Sequence, residues 1–507
     1  MPGKATLIFG LMFWTFLQAQ DLTYSRVFPS IPKNLPIFIQ NTQHDYFYVL
    51  RYNRKAHDLT LERRAKPSAE ILSFTPLKLD SVNSDLYNYA SMDYLLFEHK
   101  RGLYFVFEKN LNSKKSIFFK HIDSLGKAGG FKEVCSLTLE STMLDFDIEL
   151  AGAYGAKLLI LSTQKYLNQT TKKTIILYDL ESKSEIWAKT LPLENSLTGY
   201  SKGFCLSEQN DLFYVMVKAQ IVSYKRKYIK HAQVMVPTFY YDSLHLIKFS
   251  TAGNRLQKQF LVSDLSALHG LKLHCDSNEV RVLAQAAIKQ NDNTRTIVLF
   301  NYSCNVDLTS AGRIETTPIS PDVKRRLTYY DGTDYKDAAD KEFDLVDEYF
   351  GRQYTYILTE RKEGGVYKEL LLWQIQNSNG KVFNHYLIPR RMLSSETWSR
   401  YTDIGEAGSA LSKSNYYLFL AEAAANVTID PNTASYYQLK KKASLSHCYL
   451  IVYTPGQNGV ISKRKLHQNL GFDFIPIDYS APETGDLVFY FSNGKQEKFA
   501  VLNFLQP

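Results

Sequence analysis

Thr174-Ile-Ile-Leu-Tyr178 runs straight into Asp179-Leu-Glu-Ser-Lys-Ser-Glu-Ile-Trp187, and the reading of this stretch decides the fold. Five β-branched, aliphatic and aromatic residues favour an extended strand. The polar run after Asp179 supplies a tight turn, and Ile186-Trp187 opens another strand. Just upstream, Lys157-Leu-Leu-Ile-Leu161 makes a strand of the same kind. Neither apolar run alternates with polar residues, the pattern of strands whose two faces are both covered by packed sheets.

The same unit recurs along the chain. Apolar runs after polar turns begin near Tyr46, Leu103, Lys157, Leu212, Val280, Gln353, Tyr416 and Leu487, at intervals of 54 to 73 residues. Each has a partner downstream: Leu59–Glu62, Ser116–Ile122, Thr174–Tyr178, Leu244–Phe249, Thr296–Tyr302, Glu369–Ile375, His447–Tyr453 and Glu497–Asn503. A repeat of this length with about four strands per unit predicts the blades of a β-propeller. Two units match closely: Gly203-Phe-Cys-Leu-Ser-Glu-Gln-Asn-Asp-Leu-Phe-Tyr-Val215 aligns with Gly408-Ser-Ala-Leu-Ser-Lys-Ser-Asn-Tyr-Tyr-Leu-Phe-Leu420. Both segments predict an innermost strand, a turn and the start of the next strand.

The last unit shows Leu487–Phe491, the turn Ser492-Asn-Gly494 and Lys498–Phe504, with no outermost strand of its own. Leu22–Phe28 has strand character and no local partner, so it is expected to complete that unit and leave no open edge. The expectation is an all-β chain, a single β-propeller of eight four-stranded blades closed by an N-terminal strand at about residues 21–28. A ring of seven with one unit outside it is the alternative. A transmembrane barrel would need strict inside–outside alternation, and stacked sandwich domains a repeat nearer 100 residues.

With the units laid out, Thr174–Leu191 resembles the third and fourth strands of quinoprotein-like and WD40-like propeller repeats. There a tyrosine–aspartate pair enters a turn and a tryptophan follows in the outer strand, as Tyr178, Asp179 and Trp187 do here. The resemblance implies the architecture. The regular glycine and tryptophan spacing of quinoprotein repeats is missing, so it implies no quinone and no other cofactor.

At the N-terminus, Lys4 precedes the apolar run Ala5–Leu17 and the small residue Ala19. That layout predicts a signal peptide over 1–19, with 20–507 forming the propeller domain, and an exported bacterial protein that is periplasmic, outer-surface or secreted. The apolar run is shorter than a bilayer-spanning helix, and no later stretch is long enough to be one. The net charge of +9 is mild for 507 residues. Lysine and arginine are not concentrated as a nucleic-acid surface requires. Helical patterning is confined to Ser263–His269 and Ala338–Tyr349. The five cysteines are expected to be small buried hydrophobes, with at least one thiol free and any pairing open.

No catalytic motif is present: sialidase-type aspartate boxes, a Gly-x-Ser-x-Gly elbow and phosphate-binding glycine loops are all missing. His269, His274 and Cys275 are spaced poorly for one metal, so no metal site is expected. Asp145, Asp147 and Glu149 alternate along one strand and so share a face. They are the candidate acids of a central channel. Three long connections should emerge on one face, that of the second-to-third and fourth-to-first strand joints. Ser223–Asp242 offers Tyr224, Lys225, Arg226, Lys227, Tyr228 and Lys230; Ser320–Asp340 offers Arg325, Arg326, Tyr329 and Tyr330; Ala424–Ser446 offers Tyr436, Tyr437, Lys440, Lys441 and Lys442. Tyrosines interleaved with cations suit a protein interface or an anionic glycan. The functional expectation is therefore a monomeric, non-enzymatic binding or scaffold propeller that engages a protein or cell-envelope component through this face. The alternative is a carbohydrate-binding or carbohydrate-active protein using the channel acids and the rim tyrosines.

Overall fold

A computed structural model describes residues 22–503, apart from short stretches of which 78–93, 191–202, 329–342, 394–407 and 440–447 are the longest. The chain forms eight four-stranded blades around a common axis, a β-propeller. Blades 1 to 7 are antiparallel meanders. Blade 1 is Asn34–Gln40, Tyr46–Asn53, Asp58–Ala65 and Ile71–Pro76; blade 2 is Tyr94–His99, Gly102–Asn110, Lys114–Ile122 and Lys132–Thr138. Blade 3 follows with Met143–Tyr154, Lys157–Tyr166, Thr171–Asp179 and Ser184–Thr190. All eight apolar runs read from the sequence fall in second strands and their partners in third strands.

Blades 4 and 5 share a strand. Phe204–Leu206, Leu212–Ile229 and Ala232–Ser250 are followed by Arg255–Cys275, which pairs first with Ala232–Ser250 and then, from Leu265 onward, with Glu279–Asn291. One 21-residue strand is thus outermost in blade 4 and innermost in blade 5. Ser263–His269, expected to be helical, lies within it. Sheet pairing on both sides outweighs a helical pattern less than two turns long. Ala338–Tyr349 is also no helix where it is described, because Asp344–Phe350 is the innermost strand of blade 6; residues 338–342 lie outside the described residues. Blade 6 continues with Tyr354–Glu363, Val366–Gln376 and Val382–Leu393. Blade 7 is Gly408–Ser412, Asn415–Ala423, Cys448–Pro455 and Ile461–Lys465.

Blade 8 is closed from both ends of the chain. Asp473–Phe474, Asp486–Ser492 and Gln496–Asn503 are completed by Thr23–Tyr24 and Phe28–Pro29, with Thr23 opposite Val501 and Phe28 opposite Glu497. The expected N-terminal strand is therefore present, broken in two. A second latch was not expected: Asp478–Ser480 leaves blade 8 and pairs in parallel with the innermost strand of blade 1. Among the described residues, eight apolar clusters fill the eight blade-to-blade interfaces, from blades 1 and 2 round to 8 and 1. The eighth, where Ile39, Phe47 and Val49 meet Val488, Tyr490 and Val501, shows that the ring is closed. This is why the second strands are apolar throughout: each blade packs on two neighbours.

Polar groups are also buried at that closing seam. Arg51 is fully buried and donates to both carboxylate oxygens of Glu497 and, at 3.2 Å, to the Asn34 carbonyl. Its Nε lies 2.8 Å from Glu62 Oε2, the atom that also accepts from Arg64. Arg64 lies over the rings of Phe28 and Phe499. A charge network thus ties blade 1 to blade 8 beneath the N-terminal strand.

A buried histidine links stability to pH. His467 is fully buried beside Phe491 and Tyr449, its Nε2 3.0 Å from the Phe472 carbonyl. Burial, with Lys498 and Lys465 nearby, pushes its pKa down to about 4 from an ordinary 6.5. The unfolded chain therefore binds the extra proton first as pH falls. Its stabilising contribution is complete above pH 6.5 and is lost progressively toward pH 4, by about 2–3 kcal/mol. His467→Gln should flatten this part of the urea-midpoint profile between pH 7.5 and 4.5; an unchanged slope would assign the pH dependence elsewhere.

Candidate functional site

The expected loops of one face are present, but not as expected. Ser223–Asp242 is a paired ribbon rather than a loop. Leu212–Ile229 and Ala232–Ser250 stay paired, through two register shifts, up to Ile229 opposite Ala232, whereas the neighbouring strand stops pairing at Tyr241. From Gln220 to Ile229 the two strands run on alone for roughly 30 Å at about 3.3 Å per residue. Tyr224, Lys225, Arg226, Lys227 and Tyr228 occupy this ribbon, opposite Pro237, Val236, Met235, Val234 and Gln233. Lys230 lies outside the described residues.

The connection between blades 5 and 6 holds α1, Pro321–Thr328. Its signals were in the sequence: Ser320 caps the Val323 amide at 3.3 Å, Pro321 suits the first turn, and Asp322 faces the positive end of the helix dipole. Arg325 sits on this helix. Arg326, expected to face a ligand, is instead a strut. It donates to the Leu387 carbonyl of blade 6 and to the Pro431 and Ala434 carbonyls of the blade 7 insertion. On the other side of the insertion, Lys463 donates to the Asn426 and Ile429 carbonyls. The first half of Ala424–Ser446 is thereby tied down over blades 6 and 7. Arg326→Met is expected to release it at a local cost of about 2 kcal/mol, read as faster proteolysis within 424–447 while the ring remains folded. Equal cleavage rates would show that the strut carries no load. Tyr329, Tyr330, Tyr436, Tyr437, Lys440, Lys441 and Lys442 lie outside the described residues.

Asp145, Asp147 and Glu149 do share a face of the innermost strand of blade 3, between two register shifts. Asp145 and Asp147 are exposed and each meets a lysine: Lys165 at 3.3 Å and Lys115 at 2.7 Å. Glu149 is half-buried. Ion-paired, solvated carboxylates lack the burial that tunes a general acid. Among the described residues no group of three or more His, Cys, Asp or Glu could hold a metal ion. Cys205 and Cys275 are not both free hydrophobes: a disulfide joins them across the innermost strands of blades 4 and 5. His274, beside Cys275, stacks on Phe350 at 3.8 Å.

The sequence reading missed the feature with the shape of a site. A cleft of about 550 Å³ opens between blades 2 and 3, lined by Lys100, Tyr104, His121, Lys132, Glu181 and Lys183, with Gly129 and Gly130 along one edge. Lys100 follows the first strand of blade 2, Gly129 and Gly130 precede its fourth, and Glu181 and Lys183 form the third-to-fourth turn of blade 3. In a meander those turns emerge opposite the second-to-third joints, so the cleft lies on the face away from the ribbon. Asp179 fixes the Glu181–Lys183 turn by accepting from the Glu181 amide at 2.8 Å and the Ser182 amide at 3.3 Å. His121 packs so closely on Gly102 that a Cβ there would overlap its ring. Glu181 lies 2.6 Å from Lys100 and 3.4 Å from His99, and the hydrogen bond from Lys100 lifts that lysine above its ordinary value. The Lys183 ammonium does the reverse to Lys132, holding it below its ordinary value. Burial raises the Tyr104 hydroxyl. Asp179–Lys183, a turn by its sequence pattern, also supplies two of the charged residues of this cleft.

No family model matches the chain, and no curated protein matches it. Among solved structures it is similar to the β-propeller domain of the Trilobed protease from Pyrococcus furiosus at 9% identity and a TM-score of 0.36, covering 86% of this chain and 99% of that one. It is also similar to Porphyromonas gingivalis dipeptidyl peptidase 4 at 10% identity and a TM-score of 0.42, covering 93% of this chain and 60% of that one. The Vanderwaltozyma polyspora Nup133 β-propeller domain matches at 9% identity and 0.34, covering 81% and 99%. Scores this low carry no argument about function. The chain is an eight-bladed β-propeller on the strength of its own strand pairing.

Proposed function

We propose that this protein is an exported, non-enzymatic binding propeller, acting as a monomer and engaging a protein or cell-envelope component through the face that carries the ribbon. The ribbon carries the reading. A four-stranded blade is complete without Gln220–Tyr240, so two strands continued past both neighbours serve something outside the ring. The apolar run Ala5–Leu17 and the Cys205–Cys275 disulfide support an oxidising, extracytoplasmic compartment. Among the described residues no helix is long and apolar enough to cross a membrane. In the test, Gln220–Tyr240 is replaced by Asn-Gly and the shortened protein is compared with wild type in capture from envelope extract. Loss of a partner that the wild type retains supports the reading, and an identical partner set removes this face from it.

A second reading, a carbohydrate-binding protein, is favoured by the lysine-rimmed cleft on the opposite face. Its catalytic form is tested by turnover of a polysaccharide panel beside Asp145→Asn and Asp147→Asn. Turnover abolished by either change would make the protein an enzyme; none is expected.

A further inference from the structure

Three lysines enter the cleft between blades 2 and 3, and only one of them is answered. Glu181 pairs with Lys100. Among the described residues no carboxylate pairs with Lys132 or Lys183, and these two lysines line the same cleft from blades 2 and 3. Like charges held together favour whatever anion comes between them. A second observation is independent of charge. Lys100 and Lys183 both occupy the left-handed backbone region, at φ 56° and 58°. Glycine sits there without strain and a residue with a Cβ does not. Two strained turns thus each keep a lysine, and both lysines line the same cleft. Strain retained at converging side chains is a mark of function.

The surroundings limit what the anion is carried on. Tyr104, Phe119 and Leu180 lie at 7, 2 and 1% exposure, so these apolar side chains have little free surface with which to hold a lipid chain. It is several times larger than a lone tetrahedral anion needs, and a Cβ at Gly130 would meet nothing within 4 Å, which leaves that edge open for a carrier to run out. Two ammoniums lining one cleft suit a group with several terminal oxygens better than a single carboxylate.

We propose that this cleft binds a sulfate or phosphate ester on a saccharide chain, gripped by Lys132 and Lys183, with His121 and the Lys100–Glu181 pair at its edge. The proposal rests on the carbohydrate-binding reading. It is tested by affinity for dextran sulfate, phosphorylated mannan and neutral dextran, with inorganic sulfate and phosphate as competitors. Lys132→Ala and Lys183→Gly should each weaken binding to one of the charged polymers about tenfold. Lys183→Gly should do so with an unchanged or raised Tm, because it relieves the turn. A charge-matched control, Lys381→Ala, should bind as wild type does and so separate the site from the general attraction of a basic protein. Which of the two polymers responds distinguishes sulfate from phosphate. If the cleft variants bind like the control, the site is overturned while the carbohydrate reading stands. If the wild type binds no polymer, both fall. Complete competition by millimolar inorganic anion would overturn the saccharide carrier.

Discussion

Glu497→Ala is expected to lower the unfolding free energy by about 3–5 kcal/mol, because it leaves Arg51 buried and short of its main partner. Arg51 has no access to water. With Glu497 removed, its remaining contacts are Glu62, which also serves Arg64, and one carbonyl. The damage should begin at the ring's closure. In hydrogen exchange, amides of Gln496–Asn503 and of the paired N-terminal residues should lose protection first. Arg51→Met combined with Glu497→Met should recover most of the loss, since removing both charges abolishes the desolvation penalty and leaves the Glu62–Arg64 pair in place. A single-variant loss under about 1 kcal/mol would show that the seam is held by its apolar contacts alone.

Reducing the Cys205–Cys275 disulfide is the second large effect. The bridge closes a 70-residue separation, for which chain entropy predicts about 4 kcal/mol. It joins innermost strands that already share an interface, where Cys205 packs with Phe213, Leu271 and Val280. A reductant should therefore lower the urea midpoint of the wild type and leave that of Cys205→Ala/Cys275→Ala unmoved. Re-pairing with Cys135 or Cys304 is disfavoured: burial pushes the Cys135 thiol up to about 12 and raises Cys304 as well, which keeps both protonated and unreactive near neutral pH. Alkylation of Cys205 without reductant would count against the bridge.

The two effects concern parts of the molecule that differ in how far the sequence reveals them. The closing strand was legible because Leu22–Phe28 had strand character and the last repeat lacked a partner. The Arg51–Glu497 network was not, since its members are 446 positions apart and charged residues in apolar strands give no sign of which others they will meet. The cysteines were visible as residue types, but only the packing of blade 4 on blade 5 brings Cys205 to Cys275. The long connections were recognised on length and composition. Pairing turned one into a ribbon and Arg326 into a strut, because hydrogen-bond satisfaction in a folded chain takes priority over the loop character of a sequence.

The stretch Thr174–Trp187 shows the same division. By itself the sequence determined that it forms two strands and a turn, that such units repeat eight times, and that each blade is covered on both faces. Those properties follow from local patterning of apolar and turn-forming residues, which strands obey wherever they lie. That the turn stands beside the Gly129–Lys132 edge of blade 2, and that Lys183 lines one cleft with Lys132, was decided by the tertiary structure alone. Blade-to-blade packing sets those distances, and no residue within the stretch encodes them.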